Sequence, residues 1–318
     1  MHTRDLGRSG LRVPPVVFGG NVFGWTVDKA ASFRLLDALV EAGLNAVDTA
    51  DVYSAWVPGH AGGESEAIIG EWLRARGRRH DVVVLTKVGM EMPGQGGGLS
   101  AAWIARAVEG SLGRLGTDVI DLYQAHKDDG QTPLEETLGA FARLIEQGKV
   151  RAVGASNYDA PRLRAALETS AKLGLPRYES LQPQYNLMER GIEADLLPLC
   201  QEHGLGVIPY SALASGFLTG KYRSEADLSK SVRGARGAGK YLNERGTRVL
   251  AALDAAAARL GATPARVALA WQIARPGITA PIASATGPEQ LQDLVAATTL
   301  TLDGETVQAL DAASDVGA

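Results

Sequence analysis

Short apolar runs rich in valine, isoleucine and leucine alternate along the chain with longer stretches whose apolar positions recur at helical spacing. The first pattern predicts buried strands and the second amphipathic helices. The strand-like runs are Val16–Phe18, Ala46–Val47, Val82–Leu85, Ile120–Tyr123, Val150–Val153, Ser180–Leu181, Val207–Ile208 and Ala280–Ile282. Between them the spacing predicts helices over Phe33–Gly43, Glu64–Arg76, Ala101–Leu115, Leu134–Gln147, Arg162–Leu173 and Ile192–His203. An additional pair, Arg248–Leu260 and Ala265–Ala274, precedes the last strand, and Glu305–Ser314 follows it. The opening segment, Arg4–Gly7, a turn over Arg8–Gly10 and Leu11–Val13, reads as a β-hairpin.

Strands joined by helices must run parallel, because each crossover needs the length a helix supplies. Eight such units fit an α/β fold closed as a (β/α)8 TIM barrel better than an open sheet. No linker divides the chain, so residues 1–318 read as one domain with an N-terminal hairpin and extra helices before and after the last strand.

Composition narrows this picture. Of 318 residues, 32 are basic and 36 acidic, a net charge of -4 with no long basic run, which argues against a nucleic-acid partner. A single cysteine, Cys200, excludes an intrachain disulfide and any multi-thiolate metal site. No run of about 18 apolar residues exists, and the polar N-terminus lacks a signal-peptide core, so a cytoplasmic protein with no membrane partner is expected. The 38 glycines recur after helices, at Gly77, Gly116, Gly148, Gly174 and Gly204, which gives many of them a use as helix stops.

Two phosphate motifs fail on inspection. No Gly-x-Gly-x-x-Gly follows a strand and opens a helix, so a Rossmann-type site has no support. The segment Gly234–Lys240 approaches a P-loop, but Tyr241 stands where a magnesium-holding Ser or Thr is needed, and no buried strand precedes it.

Chemistry in such a barrel belongs at the C-terminal strand ends. Here those ends are polar: Asp48-Thr49-Ala50-Asp51-Val52-Tyr53, Thr86-Lys87, Gln124-Ala125-His126, Ser156-Asn157, Gln182 and Tyr210-Ser211. Each alone has a structural explanation as a cap, a rim contact or a solvated charge. Together they are harder to dismiss. A lysine after Val-Val-Val-Leu lies beside the core, where an unpaired ammonium is costly, and Asp48 is its obvious partner. A Lys–Asp pair beside Tyr53 is expected to lower the phenol from its ordinary pKa of about 10.

The blocks Asp48–Tyr53, Gly63–Glu66, Leu85–Lys87, Gly154–Asn157, Gln182–Asn186, Pro209–Leu213 and Gly216–Tyr222, in this order and spacing, make the chain resemble an aldo-keto reductase over essentially its whole length. The likeness is to bacterial members with a short C-terminal tail, similar to the potassium-channel beta-subunit branch. It implies a catalytic set of Asp48, Tyr53, Lys87 and His126, with no metal required. Tyr53 would be general acid in reduction and general base in oxidation, Lys87 held by Asp48 would tune it, and His126 would orient the substrate carbonyl. The activity implied is NAD(P)(H)-dependent interconversion of aldehydes or ketones, sugars among them, with alcohols. The alternative is a cofactor-binding regulatory subunit with slow turnover.

The resemblance also implies the cofactor contacts. Ser156, Asn157 and Gln182 would hold the carboxamide, Tyr210 would stack on the nicotinamide, and Gly20, Asn21 and Asp48 would lie beneath. Ser211, Leu213, Ser215 and Lys221 would surround the pyrophosphate, with Arg233 as the basic contact of the long loop. Thr286 and Gln290 would face the adenosine. NADP(H) is favoured by the resemblance, and NAD(H) stays the alternative because no lysine or arginine follows Arg275 to meet a 2′-phosphate there. Trp25 and Trp56 are expected to wall the pocket for a small carbonyl or alcohol substrate, and the oligomeric state is left open.

Overall fold

The computed structural model describes residues 2–315. Its first strands, β1 (Arg4–Asp5) and β2 (Arg12–Val13), pair antiparallel as the expected hairpin. The repeating units follow: β3 (Val17–Gly19), α1 (Lys29–Glu41), β4 (Ala46–Asp48), α2 (Glu64–Arg76), β5 (Val83–Val88), α3 (Ala101–Leu115), β6 (Ile120–Ala125) and α4 (Leu134–Glu146). Next come β7 (Val150–Ser156), α5 (Ala160–Leu173), β8 (Ser180–Gln182), α6 (Leu196–His203) and β9 (Gly206–Val207). After a long irregular loop come α7 (Glu244–Leu260), α8 (Pro264–Ala274), β10 (Ile282–Ala283), α9 (Pro288–Ala297) and α10 (Gly304–Ser314).

Strands β3 to β9 pair in sequence order, all parallel, and β10 lies beside β3. The sheet ends are joined by Thr279 N–H donating to the Val207 carbonyl at 2.8 Å and Ile282 N–H to the Pro209 carbonyl at 2.8 Å. The eight strands thus close the expected barrel. No helix of the described residues is long and apolar enough to cross a membrane.

Two apolar clusters explain the order. The larger lies between the strands and the outer helices; the smaller fills the barrel, with Val17, Ala46, Leu85, Leu122, Ala152, Ile208 and Ile282. Leu6, Leu11 and Val13 belong to that inner cluster, so the hairpin plugs the N-terminal end of the barrel. Burying one such side chain stabilises the fold by about 1.5–3 kcal/mol. Burial on both faces is also why the strands read as continuous apolar runs rather than alternating ones.

The strands extend further than the apolar runs suggested. β5 continues through Lys87, β6 through Gln124 and β7 through Ser156. Strand parity then fixes their direction, because side chains two residues apart share a face. Lys87 follows inward Leu85, Gln124 follows inward Leu122, and Asp48 follows inward Ala46. All three therefore point into the barrel at its C-terminal end. Gly154 permits this crowding: a Cβ there would lie 2.3 Å from Ser180 Oγ and 3.2 Å from Gln124 Cγ.

Helix boundaries shift for local reasons. Asp28 and Asn243 accept from Ala31 and Gly246 N–H, so α1 and α7 begin about one turn earlier than the apolar spacing implied. Conversely, α6 starts at Leu196, because Asp195 caps its first N–H and Gly191–Glu193 forms a separate tight turn.

Candidate active site

At the C-terminal end of the barrel, Lys87 is fully buried and its ammonium makes three hydrogen bonds. Nζ donates to Asp48 Oδ2 at 2.7 Å, to the Thr49 carbonyl at 2.8 Å and to Tyr53 Oη at 2.9 Å. Three donors and three acceptors leave no N–H unmet, which is what a buried cation needs. Asp48 is equally well served. Its Oδ2 also accepts from Tyr53 Oη at 3.4 Å, and its Oδ1 accepts from Gln182 Nε2 at 2.9 Å and Gln124 Nε2 at 3.4 Å. Lys87 stays charged: burial opposes its charge, but Asp48 and Tyr53 more than offset that and raise its pKa.

The expected acidification of Tyr53 does not occur in this structure. Its phenol is pushed up to about 12, because burial outweighs the Lys87 cation and Asp48 adds to the rise. His126 lies next to it, ring centroids 6.0 Å apart. Burial, and then the Lys87 charge, hold its pKa well below the ordinary histidine value, so the imidazole is neutral.

These groups open onto a cavity of about 820 Å³, within the range of small-molecule and cofactor sites. Its wall includes Asn21, Asp48, Tyr53, His126, Ser156, Asn157, Gln182 and Tyr210. It continues over Ser211, Leu213, Ser215, Lys221 and Arg233 to Thr286 and Gln290. Lys87 stands behind this wall, reaching it through Asp48 and Tyr53. Gly20 is also behind it, its carbonyl accepting from Ser65 Oγ, and the neighbouring Gly19 is the lining residue.

Asn157 is the hub of one side. Its Nδ2 donates to the His126 carbonyl at 2.9 Å and its Oδ1 accepts from Tyr210 Oη at 2.8 Å. It holds a left-handed backbone, φ 56°, which asparagine tolerates better than most residues. Beyond Tyr210 the chain enters the same region at Ser211, Ala214, Ser215 and Gly216. Three of these, Ser211, Ala214 and Ser215, are not glycine, and this region is strained for them. Two N–H groups of this segment close tight turns, Ala214 onto the Ser211 carbonyl and Gly216 onto the Leu213 carbonyl, both at 2.8 Å. The Gly234–Ala238 turn packs against it; a Cβ on Gly237 would lie 2.8 Å from Ser215 Oγ.

The two tryptophans separate. Trp25 lines the cavity, whereas Trp56 stands outside its wall and touches both Trp25 and Tyr53 edge-on, at 5.6 and 5.9 Å. At the far end, Gln290 Oε1 accepts from Thr286 N–H at 2.8 Å, and Asp293 pairs with Arg266 at 2.6 Å. The ligation of Asp48 by Gln124 was detectable in the sequence only through the parity of β6. Asp51 went unassigned as well. It is buried with neither carboxylate oxygen bonded, and burial, then Glu66, raise its pKa to about 8.

Comparison with known proteins agrees with this arrangement. The model of the Aldo/keto reductase family matches residues 15–315. An uncharacterized oxidoreductase of Bacillus subtilis is 38% identical over 314 residues, covering 96% of this chain and 94% of its own. A probable voltage-gated potassium channel subunit beta of Oryza sativa is 36% identical over 301 residues, covering 92% and 89%. An aldo-keto reductase of Alternaria alternata is 32% identical over 344 residues, covering 98% and 91%. With the barrel and a family match over nearly the whole chain, the chain belongs to the aldo/keto reductase family of oxidoreductases.

Proposed function

We propose that the protein reduces small aldehydes or ketones, and oxidises the corresponding alcohols, with a nicotinamide dinucleotide and with Tyr53 as the proton-transferring group. The observation that carries this reading is the Lys87 ammonium, held by Asp48 at 2.7 Å and placed 2.9 Å from Tyr53 Oη.

The residues fit such a cofactor. Lys221 and Arg233 line the cavity and make no ion pair or side-chain hydrogen bond among the described residues, so both are free to meet phosphate oxygens. Asn157, Ser156 and Gln182 offer amide and hydroxyl groups on the Tyr53 side, and Tyr210 offers a ring face. When bound, the nicotinamide supplies or accepts the hydride. NADP(H) is favoured on the family resemblance, with NAD(H) the alternative; Lys221 and Arg233 would meet the pyrophosphate that both carry.

The protein's own part is proton transfer and orientation. In reduction, negative charge grows on the carbonyl oxygen, and Tyr53 Oη gives its proton there. A phenol near 12 suffices, because an alkoxide is a far stronger base than a phenolate. Lys87 stabilises the phenolate left behind, and Asp48 keeps Lys87 in place. Neutral His126 can donate one N–H to the same oxygen without competing as an acid. In oxidation, the phenolate beside Lys87 takes the proton back.

Fluorescence titration with NADPH and with NADH, followed by absorbance assays across aldehydes and ketones, tests the reading. Saturable cofactor binding with carbonyl-dependent oxidation of the cofactor is expected. Absence of binding by either dinucleotide would overturn it.

A further inference from the structure

The geometry points to a binding site for an anionic group on the substrate, formed by Arg236 on the face of Trp25, so that the preferred carbonyl compounds carry a carboxylate or phosphate at the end remote from the carbonyl. This rests on the carbonyl-reductase reading above and adds the substrate class.

Three cations that line the cavity, Lys221, Arg233 and Arg236, make no ion pair among the described residues. Its two acidic lining residues do not neutralise them, because Asp48 is committed to Lys87 and Asp293 to Arg266. The dinucleotide reading employs Lys221 and Arg233 and leaves Arg236 without a partner. Arg236 and Arg233 both face the Trp25 ring, at 5.4 and 6.0 Å from its centroid. Two guanidinium groups converging on one indole, neither ion-paired among the described residues, repel each other, and a bound anion would relieve that repulsion. A guanidinium also presents a planar fork that matches carboxylate or phosphate oxygens.

The position of the site indicates which part of the ligand it reads. Trp25 contacts Trp56, and Trp56 contacts Tyr53. Arg236 is therefore separated from the proton-donating phenol by the width of these rings, and the middle of a substrate can lie along Trp25, the one of the two tryptophans that lines the cavity. A carbonyl at Tyr53 and an anion at Arg236 must be several bonds apart. This arrangement suits an aldehyde with a distal acid and does not suit a 2-oxo acid, whose charge adjoins its carbonyl.

The test compares 4-carboxybenzaldehyde with benzaldehyde, and glyceraldehyde 3-phosphate with glyceraldehyde, in the wild type, Arg236→Ala and Arg236→Lys. Arg236→Ala should lower the anionic-to-neutral ratio of kcat/KM by about tenfold or more, and Arg236→Lys should recover part of it. NADPH affinity should fall much less in Arg236→Ala than in Arg233→Ala. Selectivity for only one of the two anions supports the site and identifies its ligand as carboxylate or phosphate. Unchanged ratios in Arg236→Ala would overturn the proposal. So would a loss of NADPH affinity as large as that in Arg233→Ala, since Arg236 would then be a cofactor contact. If no aldehyde is turned over, the carbonyl-reductase reading fails by itself. The anion site is then read by calorimetry on the NADPH-loaded protein, as tighter binding of 4-(hydroxymethyl)benzoate than of benzyl alcohol that disappears in Arg236→Ala.

Discussion

The floor and the roof of the cavity are built on opposite principles. On the floor, each N–H of the Lys87 ammonium has an acceptor and Asp48 receives four donors, all from strand ends of the barrel or the turn after β4. On the roof, Lys221, Arg233 and Arg236 have no acid among the described residues, and the backbone beneath them is strained at Ala214 and Ser215. The floor is complete before any ligand arrives. The roof is left short of negative charge. A preorganised proton-transfer group and an unfinished anion cradle are what binding first and chemistry second require.

The contrast can be broken most severely at Lys87. Lys87→Met leaves Asp48 buried without its cation, and a loss of about 3–5 kcal/mol in stability is expected, with loss of carbonyl reduction. Urea denaturation checks the first and an absorbance assay the second; an unchanged midpoint would mean that the floor is not built around this pair.

Asp51, just behind the floor, is the exception that sharpens the comparison. The fold keeps its carboxyl protonated up to about pH 8. The unfolded chain ionises it from about pH 4, so its contribution to stability falls by about 1.4 kcal/mol per pH unit between those limits and levels off above. Asp51→Asn should flatten that stretch of the stability–pH curve; parallel curves for the two proteins would contradict it.

Changes to the roof should act on ligands and spare the fold. Lys221→Ala and Arg233→Ala are each expected to weaken dinucleotide binding by about tenfold, with stability within about 0.5 kcal/mol of wild type. Titration calorimetry and thermal unfolding on the same samples read both. The smallest effect belongs to the outside of the roof, where Arg223 and Asp254 form an exposed ion pair at 2.8 Å. Arg223→Ala should cost less than about 1 kcal/mol, measured by the same unfolding curves.

The floor was far more legible in the sequence than the roof, for a physical reason. Asp48, Lys87 and Gln124 sit on regular strands, where a period of two carries direction from an inward apolar residue to the polar one above it. No such period runs through residues 211–243. The convergence of Arg233 and Arg236 on Trp25 joins residues more than 200 positions apart in an irregular turn, and only coordinates reveal it. The segment Gly234–Lys240, which lacks the residues of a P-loop, supplies one cavity cation, Arg236. Spacing also could not weigh burial against a neighbouring charge, which is why the Tyr53 phenol lies above its ordinary pKa rather than below.

The account turns on Tyr53 as the proton donor beside Lys87. Its most direct test is single-turnover reduction of an aldehyde by the NADPH-loaded protein, comparing wild type with Tyr53→Phe and measuring NADPH affinity in both. A rate lower by about 10²–10⁴-fold at unchanged affinity is the result predicted. An unchanged rate in Tyr53→Phe would contradict the account.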